Sequence, residues 1–98
     1  MLEMIDPKTL TVLVTGATSG FGAAVSRRFA GAGAKVIATG RRADRLAALK
    51  KELGELCHMV SFDAREREAT EEAFALLPSE FSRPNVVVAN EAVEKSLF

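Results

Sequence analysis

Ninety-eight residues are enough for one small domain with a modest core and too few for two. Thirteen basic and thirteen acidic residues cancel to zero net charge, which removes any global electrostatic reason to expect nucleic acid or an anionic membrane as partner. The single cysteine, Cys57, excludes an intrachain disulfide or a cysteine-based metal cluster.

No apolar run approaches the roughly 20 residues of a membrane span. Glu3 and Asp6 stand where a signal peptide would carry bases, so the expected location is the cytoplasm. The chain has no tyrosine and no tryptophan.

Residues 1–9 read as a short leader, with Asp6-Pro7 near its close. Leu10 to Val14 is a near-continuous apolar, β-rich run, the pattern of a strand buried on both faces. A glycine-rich turn follows, Thr15-Gly16-Ala17-Thr18-Ser19-Gly20-Phe21-Gly22, and opens into a helix predicted from about Gly20 to Ala32. Phe21, Val25 and Phe29 recur at i, i+4 and i+8, one stripe expected to face a sheet, and Gly31-Ala32-Gly33 ends the helix.

Lys35 to Thr39 reads as the second strand, stopped by Gly40. Arg42 to Leu53 reads as the second helix, with Leu46, Leu49 and Leu53 on one face and Gly54 as its C-cap. Cys57 to Phe62 is a third strand, in which His58 is expected to be a packed residue and Cys57 a small hydrophobe. Arg65 to Leu77 is a third helix, with Ala69, Ala73 and Leu76 inward, its charged residues solvated, and Pro78 as its stop. Glu80 to Pro84 reads as a loop and Val86 to Ala89 as a fourth strand. Residues 91–98 form a tail. Strands alternating with helices of about a dozen residues predict a parallel sheet with right-handed crossovers.

A strand that passes through a glycine turn into a helix is how α/β proteins hold a pyrophosphate. The turn must bend sharply and admit phosphate oxygens to bare backbone, and Gly16, Gly20 and Gly22 supply positions without a Cβ. The second strand of such a fold ends at the adenosine ribose, where an acid selects a free 2′-hydroxyl and arginine a 2′-phosphate. Here Gly40-Arg41-Arg42 stands at that point, with Asp44 as the nearest acid. Arg41 can offer a planar fork to phosphate, and Arg42 can add charge or stack on the adenine. The alternative is two exposed arginines that simply solvate a helix start.

With these residues in view the chain resembles the short-chain dehydrogenase/reductase family. Thr15-Gly16-Ala17-Thr18-Ser19-Gly20-Phe21-Gly22 fits the family's T-G-x-x-x-G-x-G turn, and Val36 to Arg42 with Arg45-Leu46 and Leu49-Lys50 is similar to its NADP-dependent 3-hydroxy acid (serine-type) dehydrogenase branch. Phe62-Asp63-Ala64 and Val86 to Asn90 match the family's third- and fourth-strand elements. The resemblance implies that Gly16, Thr18, Ser19, Gly20, Phe21 and Gly22 surround the phosphates of NADP(H). It further implies that Arg41 and Arg42 take the 2′-phosphate, Asp63 and Ala64 meet the adenine, Asn90 meets a ribose, and Thr15 braces the turn and the fourth strand.

The chain departs from the family at Ala89-Asn90-Glu91-Ala92, where Asn-Asn-Ala-Gly is usual. Glu91 would place a carboxylate near the dinucleotide. The family's Ser and Tyr-x-x-x-Lys have no counterpart here; Lys95 and Ser96 lack a tyrosine partner.

The expected architecture is therefore a truncated, Rossmann-like, three-layer α/β unit over residues 10–90. Its parallel sheet runs in the order 3-2-1-4 with flanking helices, and its nucleotide crevice lies between strands 1 and 4. The expected function is the NADP(H)-binding N-terminal half of a short-chain oxidoreductase, without the catalytic half. The alternative is a non-catalytic nucleotide-binding module that dimerises or pairs with a complementary chain through its fourth strand, an apolar edge. An inert remnant is the third reading.

Overall fold

The apolar runs and the amphipathic segments between them fold in strict alternation. In the computed structural model, which describes residues 6–61 and 67–89, β1 spans Thr11–Thr15, α1 Gly20–Gly31, β2 Lys35–Gly40, α2 Ala43–Leu53, β3 Cys57–Ser61, α3 Arg67–Ala75 and β4 Val86–Ala89. The four strands form one parallel sheet in the order β3-β2-β1-β4, as the sequence predicts. Val12 of β1 registers with Val36 of β2 and with Val86 of β4. The chain crosses from one edge of the sheet to the other between β3 and β4, which makes the carboxyl ends of β1 and β4 the topological switch point.

Each face of the sheet has its own core. Val12, Val14, Val36, Ala38 and Cys57 pack with Ala30 of α1 and Leu46 and Leu49 of α2. On the opposite face Ile37 and Val60 pack with Phe81, and Leu13, Ala73 and Leu77 join them. Strands covered on both faces are why β1 and β2 read as continuous apolar runs and not as alternating ones.

Three expectations are corrected. The most deeply buried line of α1 is Gly22, Ser26 and Ala30, while Val25 and Phe29 of the predicted stripe pack against the margin of the same core and Phe21 does not. Phe21 is 64 % exposed, and Val25 and Phe29 are half-buried. Size decides this. A Cβ on Gly22 would collide with the carbonyl of Gly16, so the helix is seated through its smallest residues and Val25 and Phe29 reach the core only at its margin. Buried Ser26 costs little, because its Oγ donates to the carbonyl of Gly22 at 2.8 Å.

In the third helix Leu77, not Leu76, takes the inward position, and Leu76 is 74 % exposed beyond the last turn. The predicted loop at Glu80 opens with a 3-10 turn, Ser79–Phe81, that buries Phe81 against β2 and β3. Its ring lies 5.4 Å from that of His58, which is packed as expected.

Local caps follow the sequence. Asp6 accepts from the amide of Lys8 ahead of a 3-10 turn at Pro7–Thr9, and Gly54, at φ +72°, closes α2.

Candidate functional site

The turn between β1 and α1 is held by its own short residues. Gly16 takes a φ of +60°, a conformation L side chains rarely adopt. Ser19 caps α1: its Oγ accepts from the amide of Gly22 at 3.1 Å and its carbonyl accepts from Ala23 at 2.9 Å. The amide and hydroxyl of Ser19 both donate back to the carbonyl of Gly16, at 3.1 and 2.9 Å. The first turn of α1 contains no acid of its own that would offset the positive end of its dipole.

The three glycines differ. Gly22 is buried against Gly16 and Ala17 and needs its missing Cβ for packing. Gly20 is exposed, and a Cβ there would meet nothing within 4 Å. Gly20 is therefore not required by the fold around it. Thr18 is half-buried, and Ser19 and Phe21 are exposed along the same turn.

The turn is tied to the end of β2. Ala17, fully buried, donates its amide to the carbonyl of Thr39 at 3.0 Å. Thr39 in turn donates its Oγ1 to the carbonyl of Val14 at 3.2 Å. Directly beyond this clamp Arg41 and Arg42 are both exposed. Arg42 is the N-cap of α2, makes no side-chain cap bond, and lies 3.7 Å from Asp44. On the other side, Thr15 donates to the carbonyl of Val88 at 3.3 Å, the bracing contact expected of it. Asn85 accepts from the amide of Thr11 through Oδ1 and donates its own amide to Thr11, both at 2.8 Å, and so pins the start of β4.

Below the turn, a cleft of about 210 Å³ between α1 and α2 is lined by Thr18, Arg27, Arg45 and Glu52 among others. Arg27 and Glu52 bridge the two helices at 2.6 Å, an exposed hydrogen-bonded pair that raises the guanidinium pKa above its ordinary value.

The structure thus brings Gly16, Thr18, Ser19, Gly20, Phe21 and Gly22 together as one turn, with Arg41 and Arg42 at the adjoining strand end. Asp63, Ala64 and Asn90 lie outside the described residues. The clamp made by Ala17 and Thr39 and the pin made by Asn85 escaped the sequence reading. A polar residue closing an apolar strand, as Thr39 does, was the only signal for them. Among the described residues no group of three or more His, Cys, Asp and Glu could hold a metal ion, and no helix is long and apolar enough to cross a membrane.

A parallel sheet in this order, with a glycine turn leading into a capped helix at the switch point, defines a Rossmann-type α/β unit. Residues 10–97 match the family model for short chain dehydrogenase, and the chain belongs to that family. It is 54 % identical over 80 residues to the serine 3-dehydrogenase of Agrobacterium fabrum, a match covering 82 % of this chain and 32 % of that protein. It is 51 % identical over 81 residues to the NADP-dependent 3-hydroxy acid dehydrogenase YdfG of Escherichia coli K12, covering 83 % and 33 % respectively. A serine dehydrogenase solved in its closed form with NADP+ superposes with a TM-score of 0.77 at 50 % identity, covering 80 % of this chain and 32 % of that one. The chain spans about a third of the length of the curated relatives it matches.

Proposed function

We propose that the chain binds NADP(H) and forms the adenosine- and pyrophosphate-holding part of a short-chain oxidoreductase. The observation that carries this is the clamp between Ala17 and Thr39. It fixes an acid-free helix N-terminus and two exposed arginines to one rigid corner of the sheet. The residues present fit such a group: Gly16 makes the turn, Gly22 seats the helix, and Gly20 leaves open the space a side chain would fill.

In this reading Gly16, Thr18, Ser19, Gly20, Phe21 and Gly22 hold the phosphates, and Arg41 and Arg42 hold the 2′-phosphate. Asp63 and Ala64 would meet the adenine and Asn90 a ribose. When bound, the dinucleotide supplies the hydride donor or acceptor of the reaction. The chain's own contribution is binding and orientation. With no tyrosine in these 98 residues, the family's tyrosine general acid/base must come from outside them. The two 3-hydroxy acid-type relatives support oxidation or reduction at a hydroxyl-bearing carbon as the chemistry of the whole protein.

Calorimetric titration of the purified chain with NADP+ and NAD+ tests the reading. A charge-assisted hydrogen bond contributes about 1.5–3 kcal/mol, so NADP+ should bind about tenfold tighter or more, and Arg41→Ala should abolish the difference. Equal affinities, or no binding by a folded chain, would overturn it.

A second reading has one observation in its favour. β4 is the sheet edge, and its central Val87 is 60 % exposed. Unpaired strand groups and apolar side chains at an edge invite a further strand. On this reading the unit is a nucleotide-binding module completed by another chain through β4. Sedimentation of dilute protein as a monomer that shows no gain in mass with any family polypeptide would count against it.

A further inference from the structure

The arginines around the glycine turn are not equally engaged. Arg27 is held by Glu52 at 2.6 Å, and Arg42 lies 3.7 Å from Asp44. Arg45 has neither an ion pair nor a side-chain hydrogen bond with any described residue. It is exposed, yet its place is well defined. Arg45, Ala48, Leu49 and Glu52 follow at i, i+3, i+4 and i+7, the line of α2 that walls the cleft of about 210 Å³ against α1. Glu52 closes one end of that line through Arg27. Arg45 stands at the other end, and Thr18 of the glycine turn lines the same cleft. The side chain of Thr18 rests against the end of β2, with Oγ1 and Cγ2 both 3.8 Å from the position of a Cβ on Gly40, and Arg41 and Arg42 follow directly.

We propose that Arg45 is a further specificity-determining cation for the 2′-phosphate of NADP(H), acting from the mouth of the cleft between α1 and α2. The inference rests on the nucleotide assignment above, and it extends the 2′-phosphate subsite from the strand end into the first turn of α2.

Charge carries the argument. The charged residues lining the cleft are Arg27, Arg45 and Glu52, and the bridge between helices cancels two of them. One positive charge is left, on the side of the glycine turn. A phosphate monoester carries about −1.5 to −2 units of charge at pH 7 and three strong acceptor oxygens. Arg42 already shares its charge with Asp44, so Arg41 alone does not balance such a group. Arg45 supplies the difference. A cation in the first turn of a helix also opposes the helix dipole, and a bound anion removes that conflict. The free 2′-hydroxyl of NAD+ presents no charge to Arg45, so the residue bears on the choice between the two nucleotides and not on the part they share.

Calorimetric titration of the full 98-residue chain with NADP+ and NAD+ tests this in Arg45→Gln, Arg45→Lys and Arg28→Gln. Arg45→Gln should weaken NADP+ binding about three- to fivefold and leave NAD+ unchanged, a smaller loss than that expected of Arg41→Ala, which stands nearer the strand end. The readout is the ratio of the two affinities, because a loosened fold weakens both nucleotides alike. Arg45→Lys should restore most of the ratio, and the effect of Arg45→Gln should shrink as salt rises. Arg28→Gln removes the same charge from another flank of α1, beside Phe21 and Val25, and should leave the ratio as it is. A ratio untouched by Arg45→Gln, or lowered as far by Arg28→Gln, overturns the role of Arg45 while the nucleotide assignment stands. A wild-type chain that does not prefer NADP+ overturns both.

Discussion

The amide of Ala17 donates to the carbonyl of Thr39 at 3.0 Å across the carboxyl ends of β1 and β2. One hydrogen bond thereby joins the glycine turn to the strand that delivers Arg41, and Thr39 Oγ1 doubles the join through Val14. A buried backbone pair of this kind is costly to break. Separation between the glycine turn and the arginines is therefore set by the sheet and not by loop conformation, which is what preorganised recognition of the proposed two-ended ligand requires.

Gly20 and Gly22 should separate binding from folding. A Cβ on Gly22 would drive into the carbonyl of Gly16 and the Cα of Ala17, so Gly22→Ala should cost about 3 kcal/mol through forced backbone shifts. Gly20→Ala meets no atom within 4 Å and should leave stability within about 0.5 kcal/mol of wild type. If the space at Gly20 takes the phosphates as proposed, the same change should nonetheless weaken NADP+ binding about tenfold. Urea unfolding and calorimetry on the two variants check the pair. A Gly20→Ala chain that binds as tightly as wild type would remove this glycine from the site.

Asp44 restrains Arg42 and opposes a phosphate. The two side chains are 3.7 Å apart and more than half exposed, so their ion pair adds little to stability. Asp44→Asn should raise NADP+ affinity about threefold and leave NAD+ unchanged, with the gain shrinking as salt rises. The same change removes an acid from the first turn of α2 and should lower stability by about 0.5 kcal/mol. Titrations at two salt concentrations measure the first effect, and thermal unfolding the second.

The sheet order was legible because each strand is a short apolar run and each crossover a helix-length amphipathic run; β4 falls on its predicted residues, Val86 to Ala89. The glycine turn was legible because it needs residues only glycine supplies. What the sequence hid was which line of α1 lies deepest and that Phe21 leaves the core while Val25 and Phe29 stay at its margin. Hydrophobic periodicity weighs Phe21, Val25 and Phe29 above Gly22, Ser26 and Ala30, whereas the sheet selects for close approach and so for small size. Phe81 was hidden differently. Set between Glu80 and Ser82 and ahead of Pro84, it lacks any periodic partner, and only the tertiary fold shows that it caps one face of the sheet.

Phe81→Ala should be among the most damaging single substitutions outside the glycine turn. The ring is 3 % exposed, packs on Ile37 and Val60, and lies beside His58. Removing it from so small a second core should cost about 3–5 kcal/mol, a large share of what a domain this size has. Thermal unfolding followed by circular dichroism measures the loss. Phe81→Leu should recover most of it, since it keeps the apolar fill while giving up the ring contact with His58.

Cys57 should make stability fall in alkaline solution. Its thiol is 1 % exposed, and burial pushes its pKa above the ordinary 9.0, against smaller opposing effects from Lys50 and a hydrogen bond with the Ala38 backbone. The folded chain therefore keeps a proton that the unfolded chain releases. This contribution to stability is fully present below the unfolded thiol's pKa. It declines as pH rises from about 9 toward the folded-state value. Urea midpoints measured from pH 7 to pH 10 should drop over the alkaline part of that range. Cys57→Ala should start lower, because it leaves a small void in the α1–α2 core, and should show a flatter dependence there. A native chain should also resist thiol reagents at pH 8, and a slope unchanged by the substitution would assign the alkaline loss to other groups.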